Sequence, residues 1–291
     1  MRAEPSLPAS ARIAVWDWYA PRARAYAWRR GRPNAYRTLV AELMLQQTQA
    51  ARVEPAFRAF VRRFPTVASL ARASRADVLR AWAGLGYNRR AVYLHAAAQA
   101  VMRDHLGRVP TDVDALRSLP GVGPYTAAAV ASIAGGVPVA AVDVNVRRIV
   151  GRVGFADGSA VRGWVDAAAA DWVDHDDPGG WNQALMDLGR EHCRAVPRCD
   201  GCPLIGACRW RRSHPSGARE DRGPSRHGRF AGSMREVRGR VVDILRTHRS
   251  AGVVWLARAT GFDVRRVEEA LDGLVHDGVV ERSGRSYRLP A

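Results

Sequence analysis

Lysine is absent: all 45 basic residues of the 291 are arginine. With no side-chain ammonium, a lysine imine to a substrate carbonyl or sugar cannot form, so that covalent chemistry is excluded. Acid is scarce beside this, 28 residues, which leaves a net charge of +17. Such an excess points to a polyanionic partner, nucleic acid first, because a guanidinium can grip phosphate through two parallel donors. No basic amphipathic helix or lipidation signal stands out, so a membrane surface suits the charge less well. Long apolar runs are missing too. The most apolar stretch, Ala127 to Val144, is interrupted by Gly135, Gly136 and Pro138, so no bilayer span is expected. The opening residues MRAEPSLPAS lack the apolar centre of a secretory signal. The expected location is cytoplasmic, at the nucleoid. Only four cysteines occur, all within sixteen residues; in a reducing compartment they point to metal or redox chemistry rather than disulfides.

What is present is ample apolar content, 47%, enough for a sizeable core. Over residues 11 to about 210 apolar side chains recur at three and four positions and strand-like alternation is scarce, which predicts a mostly α fold. Helices are expected near 11–19, 35–50, 52–63, 75–83, 89–105, 112–118, 124–134, 144–153, 162–173 and 180–192. Thr111, Asp112 and Asp114 read as a helix start with acids in its first turn. No internal repeat is found. Residues 211–233 turn rich in Gly, Pro, Ser and Arg and read as a flexible linker. Residues 234–291 regain a pattern of three helices followed by a hairpin turning at Ser283-Gly284, the order of a winged helix-turn-helix. An interaction module without a nucleic-acid role fits that order as well.

Four constellations carry chemistry. Cys193, Cys199, Cys202 and Cys208 follow C-x5-C-x2-C-x5-C, and four thiolates this close suit a soft four-coordinate site, iron–sulfur or zinc. Spacing alone does not decide between them, although zinc ribbons usually show two CxxC knuckles and only one occurs here. Arg194, Arg198 and Arg209 interleave with the cysteines and place a basic loop on that scaffold. Leu119-Pro120-Gly121-Val122-Gly123-Pro124 joins two helices through a glycine turn, and the bare N–H groups of Gly121 and Gly123 beside a helix start make an anion site for a DNA phosphate. Asp143 precedes a helix beginning VNVRR, where an ordinary N-cap is the simpler use of the residue, with Arg147 and Arg148 on the solvated face. Glu42, Gln46 and Gln49 form a polar stripe on an otherwise apolar helix. An exposed carboxylate is the simpler reading of Glu42 alone, and the polar run from Gln46 to Gln49 suits base edges.

Together AELMLQQTQ, WAGLGYNRRA, LPGVGPYTAAAVASIAGG, VDVNVRR and NQALMDLG resemble, in order, the helix-hairpin-helix (endonuclease III-like) DNA glycosylases, and within them the MutY family of adenine glycosylases. The resemblance covers about residues 11–210. It implies a two-lobed helical fold, double-stranded DNA with a mismatched or damaged pair as partner, extrusion of the target base into a pocket, and a [4Fe–4S] cluster on the four cysteines, with zinc as the alternative. It assigns Glu42 as the acid that protonates adenine and Asp143 as the carboxylate that stabilises the positive sugar. Tyr125 and Asn145 support that charge, and Arg29 and Asp187 line the pocket. Gln46, Gln47, Thr48 and Tyr87 face the gap and the orphaned partner base, while Gly121, Gly123, Arg147, Arg148, Arg194 and Arg198 take phosphates. The pairing of one protonated and one ionised carboxyl is what N-glycosidic cleavage wants. Bifunctional relatives carry Lys where Tyr125 stands, so a monofunctional hydrolase, monomeric and acting in base excision repair on adenine opposite 8-oxoguanine or guanine, is expected. The sequence departs from the pattern at Ala27, usually Pro, at Val144, usually Gly or small, and in the first cysteine gap, five residues for six. A winged-helix candidate stands where MutY proteins usually carry a nucleotide-hydrolase-like reader of oxidised guanine. A thymine or uracil glycosylase acting opposite guanine, and a non-catalytic iron–sulfur DNA-binding regulator, remain the alternatives.

Overall fold

A computed structural model describes residues 6–23, 26–215 and 230–291. The described residues fall into two compact units. One lies within Met1–Glu42, Pro110–Ser118 and Val122–Gly223, the other within Leu43–Val109, Leu119–Gly121 and Pro224–Ala291.

In the first unit, helices Ala9–Tyr19, Val144–Gly154, Arg162–Trp172 and Pro178–Glu191 enclose a core holding Val15, Val150, Trp172 and Trp181. Pro178–Glu191 is central. It packs on both Val144–Gly154 and the alanine-rich helix Pro124–Gly135, whose small side chains allow a close approach. The expected start at Asp112 is present: its Oδ1 accepts from the Ala115 N–H at 2.8 Å and opens the short helix Val113–Arg117. That helix, the glycine turn and Pro124–Gly135 form the helix-hairpin-helix.

In the second unit, helix Ala50–Arg63 buries Val53, Phe57 and Phe60, one stripe at helical spacing. Phe60 meets Trp82 edge to face. Helices Arg75–Ala81 and Arg89–Asp104 complete this layer with Val67–Ala71, a short helix unforeseen in the sequence that a Thr66–Ser69 capping box starts. The C-terminal segment holds helices Met234–Thr247, Val253–Thr260 and Val264–His276 and strands Glu281–Ser283 and Ser286–Arg288. A further strand, Ala251–Gly252, pairs on the other side of Ser286–Arg288, so the sheet is three-stranded and antiparallel throughout. The order along the segment is helix, strand, helix, helix, strand, strand. The segment is anchored to the rest of its unit. Arg246 donates to the Leu79 carbonyl (3.1 Å) and to Asn88 Oδ1 (2.8 Å), and the Pro290 carbonyl accepts from the Ala76 N–H (2.8 Å).

Two expectations change. The helix predicted over 35–50 ends at Leu45, and a new one begins at Ala50, so Gln46 to Gln49 lie in a turn between helices. Of the predicted linker, residues 211–213 belong to helix Arg209–Ser213, and residues 216–229 lie outside the described residues.

Candidate active site

Glu42 sits one turn from the end of helix Ala35–Leu45 and is only 6% exposed. Its simpler reading as a surface carboxylate is therefore wrong. Burial pushes its pKa up to about 7, against the pull of a hydrogen bond with Tyr125 and of the Arg29 charge; the nearby Asp143 charge pushes it further up. A carboxyl poised at neutral pH, part protonated, is a usable acid. Tyr125 is in the first turn of Pro124–Gly135, and its hydroxyl also reaches Met186 Sδ at 3.3 Å. Burial and the two carboxylates keep that phenol well above its ordinary range, so it stays a neutral donor.

Arg29, in the 3-10 turn Ala27–Arg29, meets Asp187 of helix Pro178–Glu191 through two parallel bonds, Nη1–Oδ2 2.6 Å and Nη2–Oδ1 3.1 Å. Both side chains are less than a tenth exposed. The fork fixes the guanidinium plane, yet its Nε is buried with no hydrogen-bond partner among the described residues. A buried donor left open is a place for a ligand acceptor.

Asp143 does cap the helix that follows, and more. Its Oδ1 accepts from the N–H groups of Asn145 (2.8 Å) and Val146 (2.7 Å), and its Oδ2 from the Asn145 amide (2.7 Å). Asn145 is oriented in turn by Arg148, which donates to its Oδ1 at 2.7 Å and also to the Cys193 and Gly189 carbonyls. Gly189 is needed here: a Cβ on it would lie 2.4 Å from Asn145 Cβ. The segment leading into Asp143 is pinned by Asn182, buried to 1%, which accepts from the Ala141 N–H and donates to the Val139 carbonyl and Ser132 Oγ. Asn182, unforeseen in the sequence, is signalled there only by its place in NQALMDLG. Glu42, Tyr125, Arg29, Asp187, Asp143 and Asn145 all belong to the first unit.

Gln46, Gln47, Thr48 and Tyr87 come together in the other unit. Gln47 and Tyr87 both hold left-handed backbone, φ 56° and 45°, a costly conformation for side chains of this size. Arg90, also unforeseen, holds both turns: it donates to the carbonyls of Leu43, Met44 and Gln46 from one and of Leu85 and Gly86 from the other. Gly121 stands at φ 76°, and a Cβ on it would strike Tyr93 Cβ at 2.5 Å, so only glycine fits the hairpin; Gly123 has open space.

The basic residues are more engaged than the sequence suggests. Arg147 lies 3.5 Å from Asp166, Arg148 is committed as above, and Arg194 Nε donates to the Arg190 carbonyl. Arg198 holds its loop through its backbone, its N–H donating to the His192 carbonyl at 2.8 Å. The four cysteines are half-buried. Among the described residues no three His, Cys, Asp or Glu groups are arranged to chelate a single ion, yet each of Cys199, Cys202 and Cys208 senses its neighbouring thiols. Burial first, then those neighbours, raise their pKa values, that of Cys202 to about 12. Such thiols need a strongly positive centre to ionise. Arg152, buried to 2%, ties the loop down through Cys193 Sγ and the Arg194 and Ala195 carbonyls, stacked on Trp210.

Comparison with known proteins identifies the family. The sequence profile of the HhH-GPD superfamily base excision DNA repair protein matches residues 40–174. An adenine DNA glycosylase of Mycolicibacterium smegmatis is 42% identical over 93% of this chain and 92% of its own length. That of Mycobacterium tuberculosis is 41% identical over 99% and 97%. The human adenine DNA glycosylase is 39% identical over 69% of this chain and 39% of its own length. Among solved structures, a thermostable thymine-DNA glycosylase matches with TM-score 0.63 and 27% identity, covering 68% of this chain and 94% of that one. A trapped endonuclease III–DNA covalent intermediate matches with TM-score 0.59 and 26% identity over 69% and 93%.

Proposed function

We propose that this chain, which belongs to the HhH-GPD superfamily of base excision DNA repair proteins and within it to the adenine DNA glycosylases, hydrolyses the N-glycosidic bond of adenine mispaired with 8-oxoguanine or guanine in double-stranded DNA. The observation that carries it is the buried Glu42, its pKa raised to about 7, facing Tyr125 and close enough to Asp143 to sense its charge. Glu42 delivers a proton to a ring nitrogen of the flipped purine, which turns the base into a neutral leaving group. As the bond breaks, positive charge grows on the sugar. Asp143, already ordered by three N–H donors, faces that charge without rearranging. The open Nε of Arg29 offers the base a donor, and Asp187 keeps the guanidinium in plane. Water completes the hydrolysis. With Tyr125 in place of an amine and no lysine anywhere, the strand is left uncut.

Cys193, Cys199, Cys202 and Cys208 would hold a [4Fe–4S] cluster. The raised thiols fit it, since iron stabilises thiolates that burial disfavours. Bound there, the cluster supplies cross-linking of a basic loop rather than a reactant. The Gly121–Gly123 turn and residues Arg147, Arg148, Arg194 and Arg198 take phosphates. Gln46, Gln47, Thr48 and Tyr87 face the partner base. The chain acts as a monomer in the cytoplasm, on the nucleoid.

The likeness to a thymine-DNA glycosylase keeps a second substrate in view. The test is excision from duplexes carrying A, T, U or hypoxanthine opposite G and opposite 8-oxoguanine. Alkali-labile product from adenine alone, lost in Asp143→Asn and Glu42→Gln, is expected. Product from T or U opposite G moves the assignment to pyrimidines, and tight binding with no product from any duplex moves it to a regulator.

A further inference from the structure

One hydrogen in the site has two claimants. Tyr125 carries a single hydroxyl hydrogen, and its oxygen stands 3.3 Å from Met186 Sδ, where a thioether acts as an acceptor. Glu42 is also within hydrogen-bond reach of that hydroxyl. The other carboxylates nearby are already engaged. Asp143 accepts from the Asn145 amide and from the N–H groups of Asn145 and Val146, and Asp187 accepts both donors of the Arg29 fork. Among the described residues, Tyr125, Arg29 and Asp143 are the titratable and charged groups that bear on Glu42. Met186 is held in place for the contact. It lies in helix Pro178–Glu191 directly before Asp187, half-buried, and packs against the core that holds Val150 and Trp181. It also packs on Ala128, Ala129 and Ala141, the small cluster that Tyr125 covers. A leucine would fill much the same space, so what the sulfur adds is an acceptor.

The two protonation states of Glu42 use Tyr125 differently. A protonated Glu42 donates to the phenol oxygen, and the phenol then needs an acceptor for its own hydrogen. Met186 Sδ is that acceptor, so every donor in the chain from Glu42 through Tyr125 to Met186 is satisfied. An ionised Glu42 takes the phenol hydrogen itself, and the sulfur loses it. The sulfur is therefore engaged only with the protonated acid, the form that can deliver a proton to a base. A buried donor without an acceptor is costly, so loss of the sulfur moves the balance toward the carboxylate.

We propose that Met186 is a positioning residue for the acid: its sulfur accepts the Tyr125 hydroxyl hydrogen, turns the phenol oxygen toward Glu42 as an acceptor, and so favours the protonated form of Glu42. The inference rests on the glycosylase reading above and deepens it. The test follows Glu42 in the full-length protein without DNA, by the carbon-13 shift of its carboxyl carbon against pH, with Glu42→Gln identifying the signal. Met186→Leu, and norleucine at 186 as the variant closest in shape, move the midpoint down by about half to one pH unit. The fall of the single-turnover excision rate with rising pH moves down by the same interval. In a Tyr125→Phe background the same changes at 186 move nothing, because no hydroxyl hydrogen is there to accept. A midpoint unmoved in both Met186 variants would overturn the proposal. So would a midpoint moved equally with and without the phenol hydroxyl, which would make Met186 a packing residue only. The carboxyl titration needs no substrate. A protein that removes no adenine yet shows these coupled midpoints would sink the adenine assignment alone and leave the role of Met186 standing.

Discussion

Asp143 caps a helix and in the proposed reaction also faces the sugar, and one substitution separates the two roles. Asparagine caps a helix about as well as aspartate, so Asp143→Asn should melt within a few degrees of the wild type. It removes the negative charge that faces the sugar, and the single-turnover excision rate should fall by about three orders of magnitude or more. A rate loss matched by unfolding would make the residue only a cap. Glu42 gives a pH signature with a definite sign. Its folded pKa, about 7, lies above the 4.5 of a free glutamate, so the folded state binds the extra proton between these values. Stability is fully present below about pH 4.5, declines as pH rises to about 7, and is flat beyond; the loss is about 3 kcal/mol at 1.36 kcal/mol per pH unit. Glu42→Gln should abolish that slope and raise the melting temperature at pH 8 while it removes the acid. Single-turnover rates of the wild type should fall as pH rises through about 7. Glu42 and Asp143 were readable as candidates from their sequence contexts, AELMLQQTQ and VDVNVRR. Their environments were not: burial of Glu42 depends on helices more than eighty residues away.

At the level of elements, the turn after Leu45 is the clearest departure from expectation. The stretch LMLQQTQ contains no proline or glycine, so nothing local ends the helix. It ends because Arg90, from forty-odd residues on, claims the carbonyls of Leu43, Met44 and Gln46. Arg90→Met should cost about 3 kcal/mol or more, read by chemical denaturation, since several buried acceptors lose their donor. Arg90→Lys should recover little, a lysine having no planar fork. The cysteine loop makes a separate prediction. Cys199→Ala should lose the brown colour and visible absorbance of the purified protein and lower its melting temperature. A protein that purifies colourless with one zinc per chain would replace iron with zinc at the same four ligands. The strand Ala251–Gly252 escaped the sequence because two residues carry no alternation; the helices around it, with full apolar stripes, did not.

For the whole molecule, charge is the dominant quantity. A protein at +17 that neutralises six to ten phosphates should lose about three to five orders of magnitude in DNA affinity between 50 and 200 mM salt. A flat salt response would contradict a phosphate-gripping surface. Composition made the nucleic-acid partner legible and the helical periodicity made the fold class legible. The partition into units was hidden, because the second is assembled from Leu43–Val109, the three residues Leu119–Gly121 and the C-terminal segment, which no composition shift connects. Gln47 and Tyr87 hold left-handed backbone in turns whose carbonyls Arg90 pins. Encounter with a duplex then needs no slow search through loop conformers. Capture should run as a single bimolecular phase, its rate proportional to protein concentration and set by electrostatic steering rather than by a gating step.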